Sequence, residues 1–126
     1  MILGIGTDAV DIERAERMFA HWGDRMLTRL FAPGELAYLA TKTSPAQHIA
    51  VRLAAKEATY KALSGTDLAR GIGWRDTEVV TRADGAPELR LHGRAAERFA
   101  ELQATRVHVS LTHSDATAIA VVIVER

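Results

Sequence analysis

No cysteine occurs among the 126 residues, which excludes disulfide frameworks, thiolate metal sites and cysteine nucleophiles and fits a reducing compartment. No charge of one sign prevails either. Sixteen basic residues stand against sixteen acidic ones, so there is no global electrostatic case for nucleic acid or an anionic membrane, and any basic docking surface must be local. No apolar run approaches the ~18 residues of a membrane span. Met1 is followed directly by Ile2-Leu3-Gly4-Ile5-Gly6 with no basic leader, so a cytoplasmic protein is expected. Internal repeats and low-complexity segments are absent as well.

What is present suits a folded domain. Nearly half the residues are apolar and a quarter are charged, and the length is enough for one domain, 1–126, that buries about two-thirds of its unfolded surface. Ile2 to Val10 alternates as a strand, with Leu3, Ile5 and Thr7 on one face and Gly4, Gly6, Asp8 and Val10 on the other. Glycines on that face allow a ligand or another backbone to approach closely. Asp8 beside them is either a cap for the next helix or a functional acid. Asp11 serves equally well as the cap.

A helical stripe of Ile12, Ala15, Met18, Phe19 and Trp22 follows, ended by Gly23. Arg14 and Arg17 point away from the stripe and, with Arg25 and Arg29, form the one basic stretch, a surface for an acidic protein or simply solvated charge. Pro33 opens a short helix to about Ala40. Ser44-Pro45-Ala46-Gln47 reads as a capping box with proline at the first helical position, which starts the longest element, Pro45 to Ser64, with Gly65 as its C-cap. The Gly65 to Gly73 loop lacks the pattern of a nucleotide P-loop. Trp74 to Thr81 and Glu88 to His92 read as a hairpin around Asp84-Gly85-Ala86-Pro87, Arg94 to Gln103 as an amphipathic helix, and Val107 to Thr112 and Thr117 to Val124 as closing strands. The predicted architecture is α+β, an antiparallel sheet packed against the long central helix.

In that helix, 3.6-residue spacing puts Ile49, Leu53 and Tyr60 on one flank of Glu57 and Ala50, Val51, Ala54 and Ala58 on the other. Glu57 thus falls inside the apolar arc, whereas Arg52, Lys56 and Thr59 gather on the solvent-type face. A carboxylate on the core side needs a partner. Lys61, four residues on, is one; a metal ion is the other. His113 leaves its strand on the apolar side, either as a hydrogen-bonded edge residue or as a functional group. Two carboxylates without a thiolate suit a hard cation such as Mg²⁺, which takes few protein ligands and completes its shell with water and phosphate oxygens. The chemistry indicated is phosphate chemistry.

Three motifs carry a resemblance. Gly4-Ile5-Gly6-Thr7-Asp8, Arg52-Leu53-Ala54-Ala55-Lys56-Glu57-Ala58 with Lys61-Ala62, and His108-Val109-Ser110-Leu111-Thr112-His113 lie in order along nearly the whole chain. In these the sequence resembles the holo-acyl-carrier-protein synthases, the short, single-domain class of 4′-phosphopantetheinyl transferases. The resemblance implies transfer of phosphopantetheine from coenzyme A to a serine of apo acyl carrier protein, releasing adenosine 3′,5′-bisphosphate. It further implies that Asp8 and Glu57 hold Mg²⁺ at the coenzyme A pyrophosphate and that Lys61 neutralises charge on the phosphoryl oxygens. Arg52 and His113, with Thr112 alongside, would hold the nucleotide phosphates. A homotrimer with interfacial sites would let Gly85 and Pro87 of a neighbour border the adenine, and Arg14 would face the carrier protein. Glu57, a metal-bound water and Asp8 all remain candidates for the base, in preference to His113.

Two departures stand out. Thr112 replaces the usual serine yet keeps the hydroxyl, and the longer Gly65 to Gly73 loop leaves contacts over 65–70 unassigned. Other readings of the same residues are a non-catalytic coenzyme A or nucleotide-binding module and a metal-dependent phosphohydrolase.

Overall fold

Period-2 patterns near both ends of the chain become the strands of one sheet. The computed structural model of the chain describes residues 1–64 and 71–126; the expected C-cap at Gly65 and the loop positions 65–70 lie outside the described residues. In chain order the elements are β1 (Ile2–Asp11), α1 (Ile12–Trp22), α2 (Asp24–Leu30), α3 (Pro33–Ala40) and α4 (Ala46–Ser64). After a 3₁₀ turn (Trp74–Asp76) come β2 (Thr77–Thr81), β3 (Pro87–Leu91), α5 (Gly93–Glu101), β4 (Arg106–His113) and β5 (Thr117–Glu125). This is the α+β architecture expected. The strands form an antiparallel sheet in the order β1-β5-β4 and a separate β2-β3 hairpin.

Local chemistry explains most boundaries. Asp11 caps α1, its Oδ1 accepting from the Glu13 amide at 3.1 Å, which leaves Asp8 free of that role. Pro33 occupies the first turn of α3, as expected. The long helix starts one residue later than the capping box suggests, with the Ile49 amide donating to the Pro45 carbonyl at 2.8 Å. Trp74 to Asp76 is a 3₁₀ turn instead of strand because Asp76 Oδ2 accepts from the Gly73 amide at 2.8 Å and curls the chain. The short α2 has no counterpart in the sequence reading.

Helix α4 lies across the inner face of the sheet and threads two apolar clusters. Ala54, Ala58, Ala62 and Leu63 pack with Val79, Leu89, Ala120, Val122 and Val124; Ile49, Ala50 and Leu53 pack with Ala15, Leu30, Phe31 and Leu39. The approach to β1 is so close that a Cβ on Gly4 or Gly6 would sit 1.9 Å and 1.8 Å from the carbonyl oxygens of Ala62 and Ala58. The glycine face therefore admits a backbone. That contact fixes Asp8, two residues beyond Gly6 on the same face, against α4.

The facing of α4 overturns one expectation. Arg52, Lys56 and Thr59, assigned to solvent, are buried, while Tyr60, assigned to the core, is 45% exposed and Glu57 is only half-buried. The helix is covered on both sides, by the sheet on one and by α3 and β2 on the other, so the polar side chains on the second side are internally satisfied. Lys56 Nζ donates to Glu35 Oε1 at 2.6 Å, to the Trp74 carbonyl at 2.9 Å and to the Thr77 carbonyl. Glu35 in turn accepts from the Ala32 and Val79 amides at 3.0 Å and 3.2 Å. Thr59 Oγ1 donates to the Ala55 carbonyl at 2.7 Å.

Candidate active site

Glu57, Tyr60 and Lys61 occupy the strip of α4 left open between its two covered sides. Lys61 Nζ reaches over to β1, donating to Asp8 Oδ1 at 2.9 Å and to the Thr7 carbonyl at 3.0 Å. The ammonium thus pairs with Asp8 across the helix–strand contact, not along the helix with Glu57. The close seating of the glycine face explains the choice, since it brings the strand carboxylate within reach.

Glu57 joins the same group. Burial, then the negative charge of Asp8 and a hydrogen bond with it, push its carboxyl above the ordinary value, and Lys61 and Arg14 only partly offset this. Two carboxylates thus meet at one point, with Lys61 on Asp8 and Arg14 near Glu57, and burial together with their mutual repulsion outweighs what the two cations return to Glu57. A hard divalent cation fits that donor set: both ligands are oxygens, and among the described residues no third histidine or acid joins them, so the rest of a Mg²⁺ shell would fall to water and substrate. Beside the acids runs a cavity of about 320 Å³ lined by Tyr60, Ile72, Gly73 and Trp74 as well as Glu57 and Lys61. Arg14, exposed on α1, stands close enough to Glu57 to favour its charged form.

The remaining predicted residues collect elsewhere. Arg52, His113, Gly85 and Pro87 line a second cavity of about 230 Å³ with Tyr38 and His48, enclosed by α3, α4, the β2-β3 turn and the end of β4. Gly85 and Pro87 therefore meet Arg52 and His113 of their own chain. Neither Asp8, Glu57 nor Lys61 lines this cavity. At 100° per residue, Arg52 and Lys61 point to opposite sides of α4, about 13 Å apart along its axis. The predicted residues thus fall into two separate groups on one chain. Thr112 is exposed and is brought to neither, because it precedes His113 in β4 and faces the other way. His113 itself is exposed, its Nδ1 3.3 Å from the Ser114 carbonyl oxygen.

Sequence reasoning missed Tyr38, His48 and Trp74. A histidine one turn before Arg52 was the available signal for His48, but periodicity alone could not tell which surface α4 presents there.

A profile of the 4′-phosphopantetheinyl transferase superfamily matches residues 4–122. The chain belongs to that superfamily. This transferase is 46% identical over 126 residues, all of this chain and 99% of the other, to the holo-[acyl-carrier-protein] synthase of Geobacter sulfurreducens. Its fold matches the crystal structure of holo-[acyl-carrier-protein] synthase from Neisseria meningitidis with a TM-score of 0.88 at 30% identity, over the whole of both chains. It also matches the Bacillus anthracis synthase in complex with coenzyme A (3′,5′-ADP), with a TM-score of 0.79 at 30% identity over 99% of this chain and 97% of that one. The resemblance read from the three motifs is therefore correct, and the transferase family carries it over the full length. Among the described residues no helix is long and apolar enough to cross a membrane.

Proposed function

We propose that this chain is a single transferase domain, 1–126, that moves the 4′-phosphopantetheine group from coenzyme A to a serine hydroxyl of an apo acyl carrier protein in the cytoplasm, for fatty acid biosynthesis. The observation that carries the reading is the junction of Asp8, Glu57 and Lys61 at the glycine-packed contact of β1 with α4. In this reading Asp8 and Glu57 would hold Mg²⁺, which would supply charge neutralisation at the donor's pyrophosphate. The serine oxygen forms a bond to the phosphorus that bears pantetheine, the bond to the bridging oxygen breaks, and adenosine 3′,5′-bisphosphate departs. Lys61 donates to the phosphoryl oxygens as charge builds on them. The serine proton passes to the acid pair, where burial and the charge of Asp8 hold the Glu57 carboxyl above its ordinary value. His113, in the other cavity, suits binding better than base chemistry.

Two half-sites on opposite sides of α4 support a homotrimer in which the acid group of one subunit meets Arg52, His113, Gly85 and Pro87 of the next, with Thr112 near the seam. The outer sheet face supports it too. Ile5, Ile119 and Val121 are exposed at 60%, 39% and 37%, an apolar stripe across β1 and β5 that a second copy would cover. Arg14, beside the acids and exposed, suits contact with an acidic carrier protein.

Intact mass of an apo carrier protein after incubation with this chain, coenzyme A and Mg²⁺ tests the reading. A gain of the phosphopantetheine mass is expected from the wild type, together with a loss of 10²-fold or more in rate (order of magnitude) for Glu57→Gln at unchanged oligomeric size. Coenzyme A binding without any mass gain would instead mark a binding module. Donor breakdown without a carrier protein would mark a hydrolase.

A further inference from the structure

The cavity holding Arg52 contains a histidine that the proposed reaction does not use. His48 sits one turn before Arg52 on α4, half-buried, with its ring edge-on to Tyr38 at 5.7 Å between centroids. The Arg52 guanidinium stacks over the same Tyr38 ring at 4.1 Å, and its Nη1 donates to the His48 carbonyl at 3.3 Å. Lys42 Nζ approaches that ring at 4.8 Å. Arg52 is 4% exposed, and its buried Nε finds no partner among the described residues. Arg52 and His48 line the same cavity wall, and a guanidinium held there suits an anionic acceptor.

The charges facing His48 are all of one kind. Arg52 comes from its own helix, Lys42 from the segment before it and His113 from β4; α3 offers the neutral Tyr38, and the β2-β3 side of the cavity offers Val79, Thr81, Gly85 and Pro87. No carboxylate lines the cavity. We infer that His48 makes this cavity a proton-linked site for a phosphate monoester, so that a dianionic phosphate draws a proton onto His48 as it binds and is preferred there over a donor that lacks it. Burial first, then Arg52, Lys42 and His113, hold the His48 imidazole below its usual value. An arriving dianion reverses the balance of charge around the ring and favours its protonated form. The monoester's own second ionisation, near ~6, keeps it dianionic at neutral pH.

This inference rests on the coenzyme A reading, because coenzyme A carries a 3′-phosphate monoester and dephospho-coenzyme A is the same molecule without it. The test is calorimetric titration of the full chain with both donors, near pH ~7, in buffers of different ionisation enthalpy, which yields the protons taken up. Coenzyme A should draw up to about one proton more onto the wild type than onto His48→Gln, and dephospho-coenzyme A should show no such difference. Correspondingly, each rise of one pH unit in this range should erode the wild type's preference for coenzyme A over dephospho-coenzyme A by up to about tenfold, with a flatter slope in the variant. His48→Phe, which retains a ring against Tyr38, should behave like the glutamine variant and guards against a packing defect. Equal proton uptake by wild type and both variants, with coenzyme A bound and transferred normally, overturns the role of His48 alone. Failure of the wild type to bind coenzyme A overturns the donor reading as well.

Discussion

Replacing Gly6 by alanine adds one methyl group, and the structure dictates where it goes. The new Cβ would lie 1.8 Å from the Ala58 carbonyl oxygen and 2.8 Å from the Ala62 nitrogen, whereas ordinary contact begins near 3.4 Å. Both obstacles are helix backbone, so no rotamer change relieves them; β1 and α4 must part by roughly 1.5 Å. Overpacking that side chains can absorb costs about 1–3 kcal/mol, and a clash of two backbones belongs at or above that limit, about 3–5 kcal/mol. For a chain of this length the melting temperature should fall by about 10–20 °C at matched protein concentration. Gly34→Ala is the control. Its Cβ would meet only the Glu78 carboxylate, at 2.5 Å, which can swing away, so its stability should stay within about 1 kcal/mol of the wild type. The assay is thermal unfolding followed by circular dichroism. A Gly6→Ala protein melting within a few degrees of the wild type would show that the helix–strand contact is softer than these distances imply. The surviving folded fraction should also be slow in transfer, because the same separation carries Asp8 away from Glu57.

Other outcomes follow from the charge arrangement. Without divalent metal, Glu57 titrates higher in the folded chain than in the unfolded one, so its contribution is present in acid and is lost as pH rises through the folded value. Chemical denaturation across that range in chelator should show stability falling with pH, and Glu57→Gln should flatten the fall. Removing one partner of the buried Lys56–Glu35 pair, as in Lys56→Met, should lower unfolding stability by about 3–5 kcal/mol, and adding Glu35→Leu should restore only part of the loss, because the Ala32 and Val79 amides then lose their acceptor. If subunits share sites, mixing an inactive Glu57→Gln protein with an inactive Arg52→Ala protein and allowing exchange should regenerate transfer activity, seen as carrier-protein mass gain. A mixture that stays dead would place both half-sites at work within one chain.

How far the sequence could be read depended on how many neighbours each element has. Helix α1 and strand β5 have one buried face each, and their periodicities gave boundaries within a residue or two. Helix α4 is enclosed on two sides, so its buried surface includes Arg52, Lys56 and Thr59, and no 3.6-residue stripe separates inside from outside. Glu35, the acid that makes a buried Lys56 tolerable, looks in sequence like a first-turn residue of α3. The pairing of Lys61 with Asp8 was equally hidden, since it depends on how closely two glycines let the strand approach. Motif order, by contrast, was legible because Asp8, Glu57, Lys61 and His113 are spaced by the fold as a whole. That they divide into two groups is a fact of three dimensions alone.

The ladder of β1 has a temporal consequence. Its residues Gly4 to Asp11 pair with Val124 to Thr117, and among the described residues no other strand bonds to it. A ribosome therefore makes the first strand long before its mate, and the nascent chain must carry Ile2, Ile5 and the carboxylate at position 8 without that support until β5 emerges. A chain stalled before Thr117 therefore holds β1 against α4 through the glycine contact and the Lys61 bonds alone, with the strand's own hydrogen-bonding edge still unpaired.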